Sequence, residues 1–185
     1  DWTPRTPPLA QERQVTILGL GALGAAVAET LVYLGFNVTG WSRSPKDIAG
    51  VTCLHGDAGH ADALRSAEIA VLLLPNTPDT ENTLNAETLA QMPAGACIIN
   101  PGRGALIDDD ALLAALDTDQ ITLDVFRVEP LPADHPYWAH PNVTVTPHIA
   151  AETRATTAAQ AIVENIRRGE AGEDFLHLVD RAKGY

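Results

Sequence analysis

Short apolar segments rich in β-branched residues alternate along this chain with segments of helical periodicity, and this alternation strongly limits the folds open to it. The apolar segments have the sequences QVTILGL, NVTGWS, IAVLLLP, ACIIN, ITLDVF and VTVTPH. The first is followed by the helical pattern ALGAAVAETLVYLG, and further helices are predicted around 58–66, 85–91 and 109–116. Apolar strands without strict alternation are typical of a parallel sheet buried on both faces. The pattern therefore predicts a doubly wound α/β domain over residues 14–152.

The two ends of the chain have different patterns. Residues 1–13, DWTPRTPPLAQER, are polar and broken by prolines, which is typical of a linker and suggests that the chain is a fragment preceded by another lobe. Residues 153–185 are predicted to form one long helix, with Gly169 as its C′ residue, and a tail. Because the tail EDFLHLVDRAKGY is short and mixed, we expect it to pack on another part of the protein.

Composition excludes several classes of function. The chain has 12 Lys and Arg against 24 Asp and Glu, a net charge of −12, which opposes a surface that follows nucleic-acid phosphates. Cys53 and Cys97 lack metal-ligand spacing, so no metal site is predicted and both are expected to be buried thiols. No apolar run approaches the ~20 residues that span a bilayer. These features predict a soluble, cytoplasmic protein with a small-molecule or protein partner and no nucleic-acid or membrane partner.

Gly19, Gly21 and Gly24 form a GxGxxG pattern directly after the first predicted strand and at the start of the first helix. In a Rossmann-type sheet the first glycine permits a tight turn, the second lets the backbone approach a pyrophosphate, and the third lets the helix pack against the strand. A glycine-rich turn is the structural alternative. The flanking strand and helix favour a dinucleotide site.

The end of the second predicted strand bears on which dinucleotide is bound. The segment VTGWSRSPK offers Ser42 and Arg43, with no carboxylate before Asp47. A carboxylate would repel a 2′-phosphate, whereas a hydroxyl and a guanidinium bind one. The sequence therefore predicts NADP(H) in preference to NAD(H), the alternative being a solvated basic loop.

Arg103, Glu129 and His148 follow later predicted strands, and the carboxyl ends of parallel strands meet at one edge of a sheet. A cation, a carboxylate and an imidazole suit the reduction of a 2-oxo acid, in which His⁺ donates the proton. From spacing alone this is one possibility, since single His and Glu residues in loops are more often structural. Asp108–Asp110 are interpreted as the N-cap and first turn of a helix.

Five ordered motifs together resemble the D-isomer-specific 2-hydroxyacid dehydrogenases: GLGALG, LLPNTPDTENTLN, MPAGACIINPGRGALIDDDAL, LDVFRVEPLP and HPNVTVTPHIA. The ending VDRAKGY and the WSR after the second strand are similar to the glyoxylate/hydroxypyruvate reductase A branch. The resemblance implies NADPH-dependent reduction of glyoxylate or hydroxypyruvate by a homodimer formed through the nucleotide-binding domain.

The resemblance also implies roles for individual residues. Arg103 matches the substrate-binding arginine, Glu129 the acid that pairs with the histidine, and His148 the proton donor. Asp124 matches an aspartate near the nicotinamide carboxamide. The other implied cofactor contacts, beyond the three glycines and the pair at 42 and 43, are Ala22, Leu23, Leu74, Pro75, Thr80, Pro101, Gly102 and Ala151.

The sequence departs from the family pattern in two places. The family's first lobe, which supplies the other wall of the active-site cleft, is missing, so the helix and tail are expected to pack on an absent substrate lobe. The sequence is also three residues shorter than the family pattern around 117–123, either through a true deletion, which would shorten the strand before Asp124, or through a stretch absent from the given sequence. Two alternatives stay open: an NAD(H)-sensing, corepressor-like interaction protein, and a nucleotide-binding fragment that is inactive alone. Trp138 and His140 are assigned either to the pocket or, preferentially, to packing of their loop.

Overall fold

The computed structural model describes residues 6–116 and 120–181. The chain divides into two compact units, Asp1–Pro147 and His148–Tyr185, and each is described by itself. The predicted boundary after residue 152 lies close to this division and stays a prediction.

The first unit is built on a seven-stranded, all-parallel sheet, as predicted. Its strands are β1 Gln14–Leu18, β2 Asn37–Ser42, β3 Val51–His55, β4 Ile69–Leu72, β5 Cys97–Asn100, β6 Gln120–Leu123 and β7 Val143–Val145. They are arranged in the order β3-β2-β1-β4-β5-β6-β7. The strand order therefore reverses between β1 and β4, and ligands of such sheets bind outside the strand ends at this point.

Helices cover both faces of the sheet. They are α1 Ala22–Tyr33, α2 Gly56–Ser66, α3 Ala86–Leu89 and α4 Asp109–Ala115. Successive side chains of β1 point to opposite faces: Val15 and Ile17 pack in one apolar cluster with Ala28 of α1, while Leu18 packs in the other with Leu64 of α2. Because both faces are covered, most residues of the central strands are apolar and do not alternate strictly with polar ones, which explains the runs in the sequence.

β3 was not predicted from the sequence. It lies at the edge of the sheet, and only β2 pairs with it among the described strands. Thr52 and His55 are exposed on it, so its apolar pattern is interrupted. The exposed residues interrupt the apolar run by which the other strands were predicted.

β6 pairs with strands on both sides despite the short segment before it. Residues 117–119, on which part of the apparent deletion falls, lie outside the described residues. From Gln120 the strand pairs with both β5 and β7, and the Asp124 N–H donates to the Asn100 carbonyl at 3.1 Å. The strand that delivers Asp124 and Glu129 is therefore held from both sides.

The second unit consists of the helix α5, Ala155–Ala171, and the tail that follows it. The predicted end at Gly169 is wrong: the helix continues to Ala171, and Gly172 adopts the left-handed conformation with φ 71°. The tail folds back on the helix, since the Asn165 side chain accepts from the Leu176 N–H at 2.8 Å and Phe175 packs on Gly169. Along the described stretches of chain, we find no helix with the length and apolarity needed to traverse a bilayer.

Candidate functional site

The loop between β1 and α1 gives each glycine of the GxGxxG pattern a separate steric role. Gly19 has φ 111°, and a Cβ on it would lie 2.6 Å from the Leu73 carbonyl. A Cβ on Gly24 would lie 1.8 Å from the Gly19 carbonyl oxygen, so the helix packs directly on the turn. A Cβ on Gly21 would meet nothing within 4 Å. The first and third glycines therefore serve the fold, and the second keeps an open space beside the backbone.

That open space fits a dinucleotide pyrophosphate. Gly21 is the N-cap of α1, and Ala22 and Leu23 in the first helical turn are exposed. The first amides of a helix have no carbonyl partner within the helix and carry partial positive charge, which favours phosphate oxygens. The backbone around Gly21, Ala22 and Leu23 would hold the pyrophosphate, as the sequence predicts.

The loop after β2 presents Arg43 but not Ser42. The Ser42 side chain is buried, and its hydroxyl donates to the Ser44 carbonyl at 2.8 Å, which shapes the loop. The Arg43 side chain is 54% exposed and its guanidinium lies 3.5 Å from the Asp79 carboxylate. Of the two predicted 2′-phosphate contacts, Arg43 has an exposed side chain and Ser42 has a buried one.

The loop after β4 is held together by Thr80. Its hydroxyl donates to the Pro75 carbonyl at 2.6 Å and accepts from the Thr77 N–H at 3.0 Å. Leu74, directly before this turn, is buried. Thr80 therefore fixes the shape of the loop that faces the glycine turn across the β1–β4 boundary, and its predicted position near the pyrophosphate stays a prediction.

The loop after β5 carries Arg103 on a fixed backbone. Asn100 is 1% exposed; its side-chain oxygen accepts from the Gly102 N–H at 3.1 Å, and its amide donates to the Arg103 carbonyl at 3.0 Å. A Cβ on Gly102 would lie 2.8 Å from the Leu72 carbonyl oxygen, so Gly102 lets this loop approach the end of β4. Pro101 is half-buried, whereas Arg103 is exposed.

The loop after β6 brings Glu129 close to the Arg103 loop. A Cβ on Gly104 would lie 2.0 Å from the Phe126 carbonyl carbon, so the two loops are in backbone contact. Glu129 is exposed, and its carboxylate accepts from the Phe126 N–H at 2.9 Å. Asp124 is 4% exposed and accepts a short hydrogen bond from the Thr146 hydroxyl. The structure thus brings together the loops of two predicted catalytic residues.

His148 and Ala151 belong to the second unit, where both are exposed. His148 has φ 55°, a left-handed conformation that costs free energy in residues other than glycine. Their predicted roles stay predictions.

No sequence motif marked Asn100 or Arg127, although both bind the backbone of the Arg103 loop. Asn100 binds at Gly102 and Arg103, and Arg127 binds the Ile107 carbonyl. The sequence also favours Trp138 as a residue that packs the loop before β7. Trp138 is 54% exposed and anchors the loop by donating to the Pro132 carbonyl, while its neighbour Tyr137 is 1% exposed and donates to Asp109 at 2.8 Å. Burial and the adjacent Asp109 carboxylate raise the pKa of the Tyr137 hydroxyl, which keeps it a donor.

The sequence assigns structural roles to the two cysteines and to Asp108–Asp110. Cys53 and Cys97 are half-buried rather than buried. Asp108 caps α4 by accepting from the Ala111 N–H at 3.1 Å, which confirms the predicted N-cap. Over residues 6–116 and 120–181, no three His, Cys, Asp or Glu side chains are grouped so that they could hold a metal ion.

The sheet order and the glycine turn define a dinucleotide-binding domain. The sequence profile of the NAD-binding domain of D-isomer-specific 2-hydroxyacid dehydrogenases matches residues 1–150. The chain therefore belongs to the D-isomer-specific 2-hydroxyacid dehydrogenase family, a family of oxidoreductases, as its motifs predict.

Two similar curated proteins are both glyoxylate/hydroxypyruvate reductases A. The protein from Serratia proteamaculans is 45% identical over 188 residues, and the protein from Yersinia enterocolitica is 44% identical over 187 residues. Each match takes in 100% of this chain and 60% of the relative. The chain thus spans about 60% of the length of these curated relatives.

Two solved structures share the fold closely. A D-isomer-specific 2-hydroxyacid dehydrogenase from Xanthobacter autotrophicus Py2, in complex with NADPH and MES, has a TM-score of 0.95 and 51% identity over 100% of this chain and 77% of its own. An NADPH-dependent glyoxylate/hydroxypyruvate reductase from Sinorhizobium meliloti, in complex with NADP and sulfate, has a TM-score of 0.95 and 36% identity over 100% of this chain and 61% of its own.

Proposed function

We propose that this chain is the cofactor-binding part of a reductase that uses NADPH to convert a small 2-oxo acid, glyoxylate or hydroxypyruvate, into the 2-hydroxy acid. The observation that carries the proposal is the backbone contact between the Arg103 and Glu129 loops through Gly104. It supports the proposal because the two loops carry a cation and a carboxylate, and both loops follow the carboxyl ends of strands, as the glycine turn does.

The proposed roles of the nicotinamide and of Arg103 follow from their chemistry. The bound nicotinamide would supply the hydride that the keto carbon receives. The Arg103 guanidinium, exposed and always charged, binds the carboxylate of the 2-oxo acid through paired hydrogen bonds. For the other two residues the roles come from the family resemblance alone: it assigns His148 as the proton donor to the keto oxygen and Glu129 as the acid of the family's histidine pair.

Preference for NADP(H) over NAD(H) rests on Arg43. It follows β2, where no carboxylate precedes Asp47, and its side chain is 54% exposed. A 2′-phosphate at this position would meet an exposed cation, and no carboxylate of the same loop precedes Asp47. The NADPH and NADP in the two similar solved structures support this preference. The basic loop weighs against an NAD(H)-sensing interaction protein.

The second unit carries apolar side chains that suit a covering surface. Ile162, Ile166 and Phe175 line a shallow groove on α5 and are 51–60% exposed. We propose that the substrate lobe covers this groove in the whole protein, and that two copies associate through the nucleotide-binding domain in the cytoplasm.

Turnover of NADPH by the full-length protein tests the proposal. Absorbance of NADPH is followed with glyoxylate and with hydroxypyruvate, and both the full-length protein and the 185-residue chain are assayed. We expect turnover by the full-length protein, and binding of NADPH without turnover by the shorter chain. A full-length protein that binds NADPH but reduces no small 2-oxo acid would refute the enzyme assignment.

A further inference from the structure

The Arg127 side chain binds the backbone directly behind Arg103. Its Nε and one terminal nitrogen donate to the Ile107 carbonyl at 3.1 and 2.8 Å. The same terminal nitrogen donates to the Ala105 carbonyl at 3.2 Å. Both carbonyls belong to the tight turn that starts at Gly104 and ends at Ile107. Arg127 therefore fixes the segment that leaves Arg103.

The guanidinium also binds the loop after β4. It contacts the Glu81 carboxylate at 3.2 Å and donates a short hydrogen bond to the Asn82 side-chain oxygen. The backbone of this loop pairs with the same turn, since the Asn82 N–H donates to the Ala105 carbonyl at 2.9 Å and the Leu84 N–H to the Leu106 carbonyl at 3.0 Å. One side chain thus joins the loops that follow β4, β5 and β6.

The charge of Arg127 is balanced within this cluster. Glu81 lies on one side, and the Asp109 carboxylate lies 4.0 Å from its Nε on the other. Asp109 is itself held by the buried Tyr137 hydroxyl at 2.8 Å. The Arg127 side chain is only 30% exposed, so these interactions are less screened than those of a surface pair.

The position of Arg103 is consequently determined from two sides. Asn100 binds its carbonyl from the strand end, and Arg127 binds the turn after it. Gly104 leaves no space between the turn and the backbone at Phe126 and Arg127, so a displaced turn would move the Glu129 loop as well. Hydrogen bonds that belong to one network strengthen one another, so together they favour a single arrangement.

We propose that Arg127 is a positioning residue that sets the Arg103 loop for the substrate carboxylate without touching substrate. The inference rests on the proposed function, because Arg103 is the substrate-binding residue only in that function. A lysine cannot replace Arg127, since a single ammonium cannot reproduce the planar fork that binds the Ile107 and Ala105 carbonyls together with Glu81.

Steady-state kinetics of the full-length protein separate positioning from general stability. We expect Arg127→Ala to raise KM for glyoxylate or hydroxypyruvate and to lower kcat/KM roughly 10- to 100-fold, the scale on which a displacement of about 1 Å acts. KM for NADPH should rise less than KM for the 2-oxo acid, because no Arg127 contact involves the glycine turn. Arg127→Lys should show most of the same KM increase. The control Arg65→Ala removes an exposed pair with Asp62 on α2 and should change neither constant.

Amide hydrogen exchange supplies a readout that does not depend on turnover. Arg127→Ala should accelerate exchange in segments 80–84 and 103–107, while Gln14–Leu18 of β1 keeps its protection. Unchanged exchange in 103–107, acceleration that includes β1 equally, or a substrate KM within twofold of the wild type would each overturn the inference. If the wild-type enzyme shows no turnover, the proposed function fails, and the local or uniform pattern of exchange alone decides the role of Arg127.

Discussion

The Asp79 carboxylate lies 3.5 Å from the Arg43 guanidinium and joins the loop after β4 to the loop after β2. The pair spans the carboxyl end of β1, where the glycine turn begins. Both side chains are well exposed, 79% for Asp79 and 54% for Arg43, so solvent screens the pair. A 2′-phosphate bound by Arg43 would therefore compete with a neighbouring carboxylate, and the two residues should have opposite effects on NADPH binding.

Replacing Arg43 should weaken NADPH binding selectively. We expect Arg43→Ala to raise KM for NADPH about 10- to 100-fold, the loss expected for charge-assisted hydrogen bonds, and to leave KM for NADH within about twofold. Initial rates with each cofactor in the full-length protein measure both constants. Arg65→Ala is a suitable control, since Arg65 pairs at 2.7 Å with Asp62 on α2. Equal losses with NADPH and NADH would refute the 2′-phosphate role.

Removing the charge of Asp79 should change KM for NADPH in the opposite direction. Asp79→Asn keeps the size of the side chain and removes the competing negative charge, so KM for NADPH should fall about two- to fivefold, the range for an exposed ion pair. The difference should shrink as salt is added. KM for NADH serves as the internal comparison, and an equal improvement with both cofactors would contradict competition at the 2′-phosphate.

Substitutions at Gly21 and Gly24 should affect different properties: NADPH binding in the first case and stability in the second. Gly24→Ala places a Cβ 1.8 Å from the Gly19 carbonyl oxygen, so α1 must shift, and the free energy of unfolding should fall by about 1–3 kcal/mol or more. Gly21→Ala places its Cβ in open space and should leave stability nearly unchanged while weakening NADPH binding. Urea unfolding and NADPH fluorescence titration measure the two effects. A stable Gly24→Ala protein, or normal NADPH binding by Gly21→Ala, would contradict these steric roles.

The steric roles of the glycines were predictable because they follow from local order: strand, turn, helix. The roles of Asn100 and Arg127 were not, since they act through backbone carbonyls that any residue type provides. Arg127 binds partners 20 and 45 residues away in the sequence, and only the folded arrangement brings them together. No local pattern encodes such a contact.

The same distinction holds for the fold. Central strands such as β1 and β4 were predicted because burial on both faces makes their sequences largely apolar without strict alternation. β3 lies at the edge and lacked that signal. The end of α5 was misplaced because Gly169 and Gly172 are equivalent in the sequence; packing of Phe175 on Gly169 keeps the first of them helical.

Acid should destabilise the first unit partly through His60. Its Nε2 is buried and lacks a hydrogen-bond partner among the described residues. The His60 and Trp41 rings pack in an edge-to-face arrangement, with 4.7 Å between their centroids. Burial lowers the pKa of His60 below its ordinary 6.5, against the opposing influence of Asp57. The unfolded chain therefore binds the proton more tightly, so this contribution to stability is present above about pH 6.5 and is lost as pH falls.

His60→Phe should reduce that acid sensitivity. The Tm of wild type and variant is measured at about pH 7.5 and about pH 5.5, which lie on either side of the ordinary histidine pKa. We expect a smaller decrease in Tm for His60→Phe, because the substituted ring cannot be protonated. His55→Gln, at the exposed end of β3, controls for histidine removal as such. Equal decreases for wild type and His60→Phe would contradict the argument.

Arg103 and His148 should control different kinetic constants if the proposed roles hold. Arg103→Ala removes the cation that binds the substrate carboxylate, so kcat/KM for glyoxylate should fall roughly 100- to 1000-fold, as for other charge-stabilising groups. NADPH binding should be kept, since the glycine turn is untouched. Because Asn100 and Arg127 bind the backbone on either side of Arg103 rather than its guanidinium, stability should also be kept.

His148→Ala should instead act on the chemical step. Losing a general acid lowers kcat by ~100-fold or more, and the KM of the 2-oxo acid should change little. Stopped-flow single turnovers at saturating NADPH measure this step directly. A variant that loses substrate affinity but keeps its rate of hydride transfer would assign His148 to binding and leave the proton donor to be sought elsewhere.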